Sequence, residues 1–295
     1  MSDWDGQSKD NVLGYKSFIF ILRYIHIRVA YFIVWFVALY YYFSTRKKDI
    51  RFFYKQILHY DRVKSESSIF LNYVTFGKVL LDKIAILAGF SSKYTYDYEG
   101  EQHLHKMANE GKGGIIIGAH AGNWEIAGHL LTRINRPVHV LIYDGERSNL
   151  KELMEDITGE KSFDVIPVRD NDMLHIYEIK KALDNGDIIA MHGDRFRSGT
   201  KTHQCNFLDR QAKFPLGPYY LATQFNVPFC FVYTMKETNT HYHFSSTPPM
   251  NIDSGNKKNK NENIKLKTEL YASELEKMIR KYPLQWFNYY NFWNT

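Results

Sequence analysis

The sequence predicts an α/β fold: a central, largely parallel mixed sheet flanked by helices, with an N-terminal helical membrane anchor ahead of it. Three observations carry this. Short β-branched or aromatic runs bounded by turn residues recur after Glu101. Segments with helical spacing lie between those runs. An uncharged, mostly apolar stretch covers residues 29–43. The 295 residues, 44% hydrophobic and 24% charged, exclude wholesale disorder and collagen-like or mucin-like repeats.

The first ten residues are net acidic, and the apolar stretch behind them is interrupted by Arg23, His26 and Arg28 with no small-residue cleavage signal, which excludes a secretory signal peptide. Residues 29–43 would form about 22 Å of helix against a hydrocarbon core of roughly 30 Å. With Lys16, Arg23 and Arg28 before it and Arg46, Lys47 and Lys48 after it, the segment reads as an interfacial or partly inserted anchor whose cations meet anionic headgroups. A buried core helix is the alternative. If the segment spans, the cationic side after Phe43 faces the cytoplasm. Residues 1–50 are therefore read as a hydrophobic membrane-associating helix and 51–295 as the α/β domain.

Ile69, Tyr73, Phe76, Val79 and Leu80 repeat at helical spacing, so two or three helices are expected between 52 and 90. Strands follow at 114–118, 138–143, 164–168, 188–191 and 228–233, with helices near 124–134, 149–158, 173–184 and 217–225. One more strand is expected at 242–246, then a polar loop at 251–263 and a last helix at 264–281.

Lys plus Arg (38) exceed Asp plus Glu (32), a formal +6 that favours anionic partners: a phospholipid surface, nucleic acid or an acidic carrier protein. The 16% aromatic content suits surfaces that meet water on one side and lipid on the other. Only Cys205 and Cys230 are present, so neither a disulfide framework nor a Cys-based zinc site is expected.

The most informative string is Gly-Gly-Ile-Ile-Ile-Gly-Ala-His-Ala-Gly-Asn-Trp-Glu-Ile-Ala-Gly, residues 113–128. A buried strand ends at Gly118, small residues turn the chain, and His120 precedes a helix. On an unbroken helix His120 and Glu125 would diverge by about 140°; with His120 in the loop, the carboxylate can fold back as the orienting partner of a histidine base. Gly122 and Asn123 make that bend and are expected to let substrate approach the backbone, whose N–H groups would stabilise an oxyanion. On the residues alone, a loop histidine that merely satisfies the helix start stays open beside catalysis. The Asp194-Arg195 pair is either a second part of the cleft or a turn cap with a solvated basic loop. His103 with His105, and His241 with His243, read as surface histidines, since no carboxylate or cysteine stands at zinc-site spacing.

The His-x4-Glu string resembles the catalytic motif of the lysophospholipid acyltransferase superfamily, in particular the bacterial lipid A biosynthesis lauroyl and myristoyl acyltransferases. Asp194 in Met-His-Gly-Asp-Arg-Phe-Arg-Ser-Gly, the segment 206–222, Val227-Pro-Phe-Cys-Phe-Val, Pro248-Pro249 and Tyr282-Pro-Leu-Gln-Trp286 resemble later segments of that family in the same order. The resemblance implies His120 as general base, Glu125 as its partner, and substrate contacts from Gly122, Asn123, Arg169, Asp194 and Arg195. It implies an acyl thioester donor, on acyl carrier protein or coenzyme A, and a membrane lipid acceptor at the cytoplasmic face of the inner membrane. Neither a metal nor a redox cofactor, nor a nucleic-acid partner, is implied. Two departures bear on the acceptor. Tyr143 is followed by Asp144 where the family tends to have Arg, and Tyr289, Tyr290 and Asn291 stand in place of a basic pair. These point to a less anionic acceptor than a phosphorylated glucosamine, such as an aminolipid or a polyene-type lipid. A non-catalytic lipid-binding protein of the same fold is the first alternative; a metal-dependent phosphoesterase, suggested faintly by His-Gly-Asp194 and Gly-Asn-Trp-Glu, is the second.

Overall fold

The structure is a computed structural model that describes residues 27–124, 126, 132–143, 164–169, 173–252 and 257–294. The helix expected at 149–158 and most of that at 124–134 lie outside these residues. Helix α1 (Ile27–Ser44) is about 27 Å long and, among the described residues, is the one helix long and apolar enough to cross a membrane. Ile27, Ala30, Tyr31, Val34 and Ala38 form its buried stripe at helical spacing. Helix α2 (Lys48–Phe52) runs into a wider turn at Phe53–Ile57. Helix α3 (Arg62–Ala85) then starts where the Asp61 side chain accepts from the Lys64 N–H at 2.8 Å, a capping bond that satisfies one orphan donor of the first turn. The α1 stripe packs on α3, where a Cβ at Gly77 would stand 2.7 Å from Val34 Cγ1, so close approach of the two helices requires glycine. The remaining face of α1, with Phe32, Phe36, Tyr40 and Phe43, is exposed.

The central sheet has the order β1-β9-β8-β2-β5-β3-β4. Its strands are β1 (Thr95–Glu99), β2 (Gly114–Gly118), β3 (Val138–Tyr143), β4 (Asp164–Val168), β5 (Ile188–His192), β8 (Phe229–Lys236) and β9 (His241–Ser246). β2, β3, β4, β5 and β8 run parallel; β9 is antiparallel to β8, and β1 parallel to β9. The mixed, mostly parallel sheet is the one the sequence predicts. Its central strands are buried on both faces, so they read as continuous apolar runs. In β2, Ile115 and Ile117 pack with Ile179 of α5 (Leu174–Asp184) and Tyr271 of α7 (Lys257–Lys281), whereas Ile116 packs with Leu104 and Met107 of α4 (Glu101–Asn109) on the opposite side. Helix α6 (Gly217–Phe225) contributes Tyr219 and Ala222 to the first side.

Several elements differ from the sequence expectation, among them helix α4, which the sequence does not predict. β1 is an additional edge strand. β6 (Thr202–Phe207) and β7 (Arg210–Pro215) form a separate antiparallel hairpin, closed by Leu208 and Asp209 at positive φ. Helix α7 begins within the expected polar loop, because its first turns carry no inward-facing apolar residue until Ile264.

A buried charge cluster joins these layers. Asp82 of α3 pairs with Lys236 at the end of β8 and accepts from the hydroxyls of Tyr31, Tyr242 and Tyr94, the last at 2.8 Å. Burial pushes the Asp82 carboxyl up and the Lys236 ammonium down, each towards its neutral form, while their mutual attraction opposes both shifts.

Candidate active site

Five parallel strands end at one edge of the sheet, and loops at that edge carry the candidate residues. β2 and β5 are neighbours, with Gly118 in register with His192. Two residues beyond Gly118 comes His120; two beyond His192 comes Asp194. Equal offsets from paired strand ends bring the two side chains together: His120 Nδ1 lies 2.8 Å from Asp194 Oδ1, and the His120 N–H donates to Asp194 Oδ2 at 2.9 Å. Since a carboxylate only accepts, Nδ1 carries the proton of this bond, and in its neutral form the ring keeps its lone pair on Nε2. Asp194 is 2% exposed, while the His120 side chain is 18% exposed. Burial alone would raise the Asp194 carboxyl. Its bond and closeness to His120, with Arg195 adding to them, hold it below the ordinary carboxylate range instead.

The loop that carries His120 is clamped from both sides. The Gly122 N–H donates to Gln285 O at 2.9 Å, the Asn123 N–H to Thr234 O at 2.8 Å, and the Phe287 N–H to His120 O at 3.1 Å. Gly122 has φ +65°, and a Cβ there would stand 2.7 Å from Met235 Sδ and overlap the Thr234 carbonyl. Below the pair, Gly193 N–H and Tyr271 OH both donate to Gly118 O, at 3.0 and 2.7 Å.

Of the residues singled out from sequence, the structure brings together His120, Gly122, Asp194 and Arg195. Asn123 stands in the same loop but is fully buried, with Nδ2 donating to Val79 O and to the Tyr242 hydroxyl at 3.2 and 3.3 Å, so it braces the loop from behind. The backbone donors expected for an oxyanion are engaged elsewhere: the N–H groups of His120, Gly122, Asn123 and Gly193 all have protein acceptors. Arg195 donates to Phe287 O at 3.0 Å and lies over the Tyr290 ring at 5.9 Å. Arg169 is exposed just past the end of β4, on the same sheet edge but three strands from β2, roughly 14 Å at ordinary strand spacing. Glu125 lies outside the described residues.

Sequence reasoning missed His192, whose ring contacts His120 at 4.1 Å between centroids, and the 285–287 segment that pins the loop. Only the order of motifs ending in Tyr282-Pro-Leu-Gln-Trp286 pointed towards the second. His241 and His243 pair with Asp97 at the exposed sheet edge, at 3.2 and 2.9 Å. Among the described residues, no three His, Cys, Asp or Glu side chains converge as a metal site requires.

Fold and site together define a class: an α/β protein with a histidine–carboxylate pair at the carboxyl edge of its parallel strands, an arrangement suited to proton transfer. Residues 61–295 match the family of bacterial lipid A biosynthesis acyltransferases, and the chain belongs to that family. Its activity is acyl transfer to a lipid. Among solved structures, the chain is similar to the 1-acyl-sn-glycerophosphate acyltransferase PlsC from Thermotoga maritima, at 15% identity over 90% of this chain and 95% of that one, with a TM-score of 0.38. No curated protein sequence matches the chain significantly.

Proposed function

We propose that this protein moves a fatty acyl chain from a thioester, on acyl carrier protein or coenzyme A, to a hydroxyl or amine of a membrane lipid at the cytoplasmic face of the inner membrane. The observation that carries this reading is the His120–Asp194 pair. His120 takes the proton from the acceptor through Nε2 as the acceptor oxygen or nitrogen attacks the thioester carbonyl. Asp194 fixes the tautomer through Nδ1 and stabilises the imidazolium that forms. Collapse of the tetrahedral intermediate expels the thiolate, which takes the proton back from His120. A base held this way supplies about 10²- to 10⁴-fold.

Glu125, as a further partner of His120, rests on the resemblance. With the N–H groups of His120, Gly122, Asn123 and Gly193 engaged, Arg195 is a group suited to meet the oxyanion or a nearby phosphate. Arg169 takes a phosphate farther along the same edge. The exposed aromatic face of α1 supports membrane association, and the cations after Phe43 support attraction to anionic headgroups. Asp144 after Tyr143, and Tyr289, Tyr290 and Asn291 in place of a basic pair, support an acceptor with few phosphates.

The test is lipid mass spectrometry on cells deleted for the gene and complemented with wild type or His120→Ala. A lipid one acyl chain lighter should accumulate, and only wild type should restore the heavier species. An unchanged lipid profile would leave lipid binding without turnover as the better reading.

A further inference from the structure

Beyond Tyr282 the chain forms a strap whose backbone carbonyls divide between two sets of partners. Pro283–Gln285 make a short 3₁₀ turn, and Trp286 is extended at φ −92° and ψ 106°. Trp286 stands opposite Ala121 in an isolated antiparallel bridge. The carbonyls of Gln285 and Phe287 serve the site: they accept from the Gly122 N–H at 2.9 Å and from Arg195 Nη2 at 3.0 Å. Those of Leu284 and Trp286, alternating with them, both accept from Nδ2 of Asn72, at 3.0 and 3.3 Å. Asn72 belongs to α3 and is fully buried, and its Oδ1 accepts from the Tyr289 hydroxyl at 2.9 Å. One side-chain amide thus spends both protons and an acceptor site on residues 284–289.

The alternation makes register matter. A slip of the strap by one residue would exchange the carbonyls offered to Asn72 with those offered to Gly122 and Arg195. Other bonds hold the start of the strap: the Tyr54 hydroxyl donates to Pro283 O at 3.0 Å, and the Gln285 side chain bonds the Lys236 backbone. Asn72 reaches beyond them to Trp286 and Tyr289. These two bracket Phe287, whose N–H donates to His120 O at 3.1 Å.

We infer that Asn72 is a positioning residue for the acyl transfer: its amide fixes the register of the 284–289 strap and, through it, the places of His120 and Arg195. This rests on the reading of His120 as the base. Without the amide, two carbonyls and the Tyr289 hydroxyl lose their partner in the interior, and the strap shifts to find others. His120 is bonded to the strap through its carbonyl and to Asp194 through its N–H and ring, so a shifted strap pulls the base away from its carboxylate.

The experiment compares purified wild type, Asn72→Leu, Val74→Ala and His120→Ala, with an acyl thioester and the lipid extracted from cells deleted for the gene. Asn72→Leu keeps the volume and removes the amide. It should lower kcat by about 10- to 100-fold, within the loss that a misplaced reacting group produces, with KM changed less than about threefold and Tm lowered by about 3–6 °C. Val74 lies on the same helix but packs with Val34 and Ala38 of α1; Val74→Ala should lower Tm by a similar amount and keep wild-type kcat. Hydrogen exchange read by mass spectrometry should quicken in Asn72→Leu over 119–123 and 284–289 and stay at the wild-type rate over 188–191. Equal kcat in Asn72→Leu and Val74→Ala, or faster exchange over 284–289 with 119–123 unchanged, would assign the amide to stability alone and overturn the positioning role. If His120→Ala is inactive while Asn72→Leu keeps wild-type kcat, the inference about Asn72 fails alone; if His120→Ala stays active, the base assignment fails first. Should Asn72→Leu not fold, Asn72→Ala, which crowds nothing, gives the same comparison; a chain that folds with neither replacement also overturns the positioning role.

Discussion

Replacing Gly122 by alanine tests whether the loop that carries His120 is held as tightly as its bonding implies. The residue sits at φ +65°, where a side chain costs about 1–2 kcal/mol. The new Cβ would also collide with the Thr234 carbonyl, which accepts the Asn123 N–H, and with Met235 Sδ. Relief of that overlap requires the loop to move by roughly 1 Å, which strains the bonds from Gly122 to Gln285 and from Asn123 to Thr234; each is worth about 1 kcal/mol. The total is about 3–4 kcal/mol, or roughly 5–6 °C in Tm for 295 residues. A 1 Å displacement of His120 should cost about 10²-fold in kcat/KM. Gly111→Ala is the control, since Gly111 has φ +71° with nothing within 4 Å of the added Cβ. It carries the backbone cost without the collision and should keep wild-type kcat. Thermal melts and steady-state acyl transfer on the two variants separate the effects. A Gly122→Ala protein that melts with Gly111→Ala and turns over at the wild-type rate would refute the clamped loop.

Asp194→Asn should lower kcat by about 10²- to 10⁴-fold with little change in KM. Because the Asp194 carboxyl is depressed in the folded state, its contribution to stability is fully present above the ordinary value of about 3.9 and is lost as pH falls through its folded value. Urea melts should therefore show a gap between wild type and Asp194→Asn that is present at pH 5 and shrinks as pH falls below about 4; a gap that closes between pH 7 and 6 contradicts the assignment. Asp82→Ala and Lys236→Met should each destabilise by about 3–5 kcal/mol, as each strands a buried partner, whereas Asp82→Leu combined with Lys236→Met should recover much of that loss. Additive denaturant midpoints in the double variant would deny the coupling. Phe36→Asp with Phe43→Asp, both on the exposed face of α1, should cut sedimentation with anionic vesicles and leave Tm unchanged; undiminished sedimentation would place the membrane contact elsewhere.

The central strands were legible because burial on both faces writes itself as unbroken apolar runs, as in Ile115 to Ile117. The edge was not. β1 carries Asp97 and Glu99, poor strand formers, and forms because it pairs with β9, where Asp97 also meets His243 at 2.9 Å. The hairpin turn places Leu208 and Asp209 at positive φ with neither Gly nor Asn to announce it. At the site, the glycine-flanked loop marked His120, but its bond to Asp194 depends on two strands 70 residues apart becoming neighbours in a particular register. Local sequence holds no record of that register. For the same reason Asn123 reads as a loop residue available to substrate, although Val79 and Tyr242, distant in the chain, claim its amide.

These contacts also tie the apolar helix to the site. Tyr31 of α1 donates to Asp82, and Asp82 accepts from Tyr242. The Tyr242 hydroxyl accepts from Asn123, three residues after His120. On the opposite side, Gln285 exchanges two hydrogen bonds with the Lys236 backbone, at 2.8 and 2.7 Å, and its own carbonyl accepts from Gly122. The Asp82–Lys236 pair is therefore the junction at which both walls of the loop and the stripe of α1 meet. Every link is buried and hydrogen-bonded, and such networks hold one arrangement because any alternative strands a polar group in the core. The position of His120 relative to α1 is set by packing and hydrogen bonds rather than by a flexible tether. Under the proposed function, a helix held on the membrane would thereby also fix the height and direction from which His120 meets its acceptor.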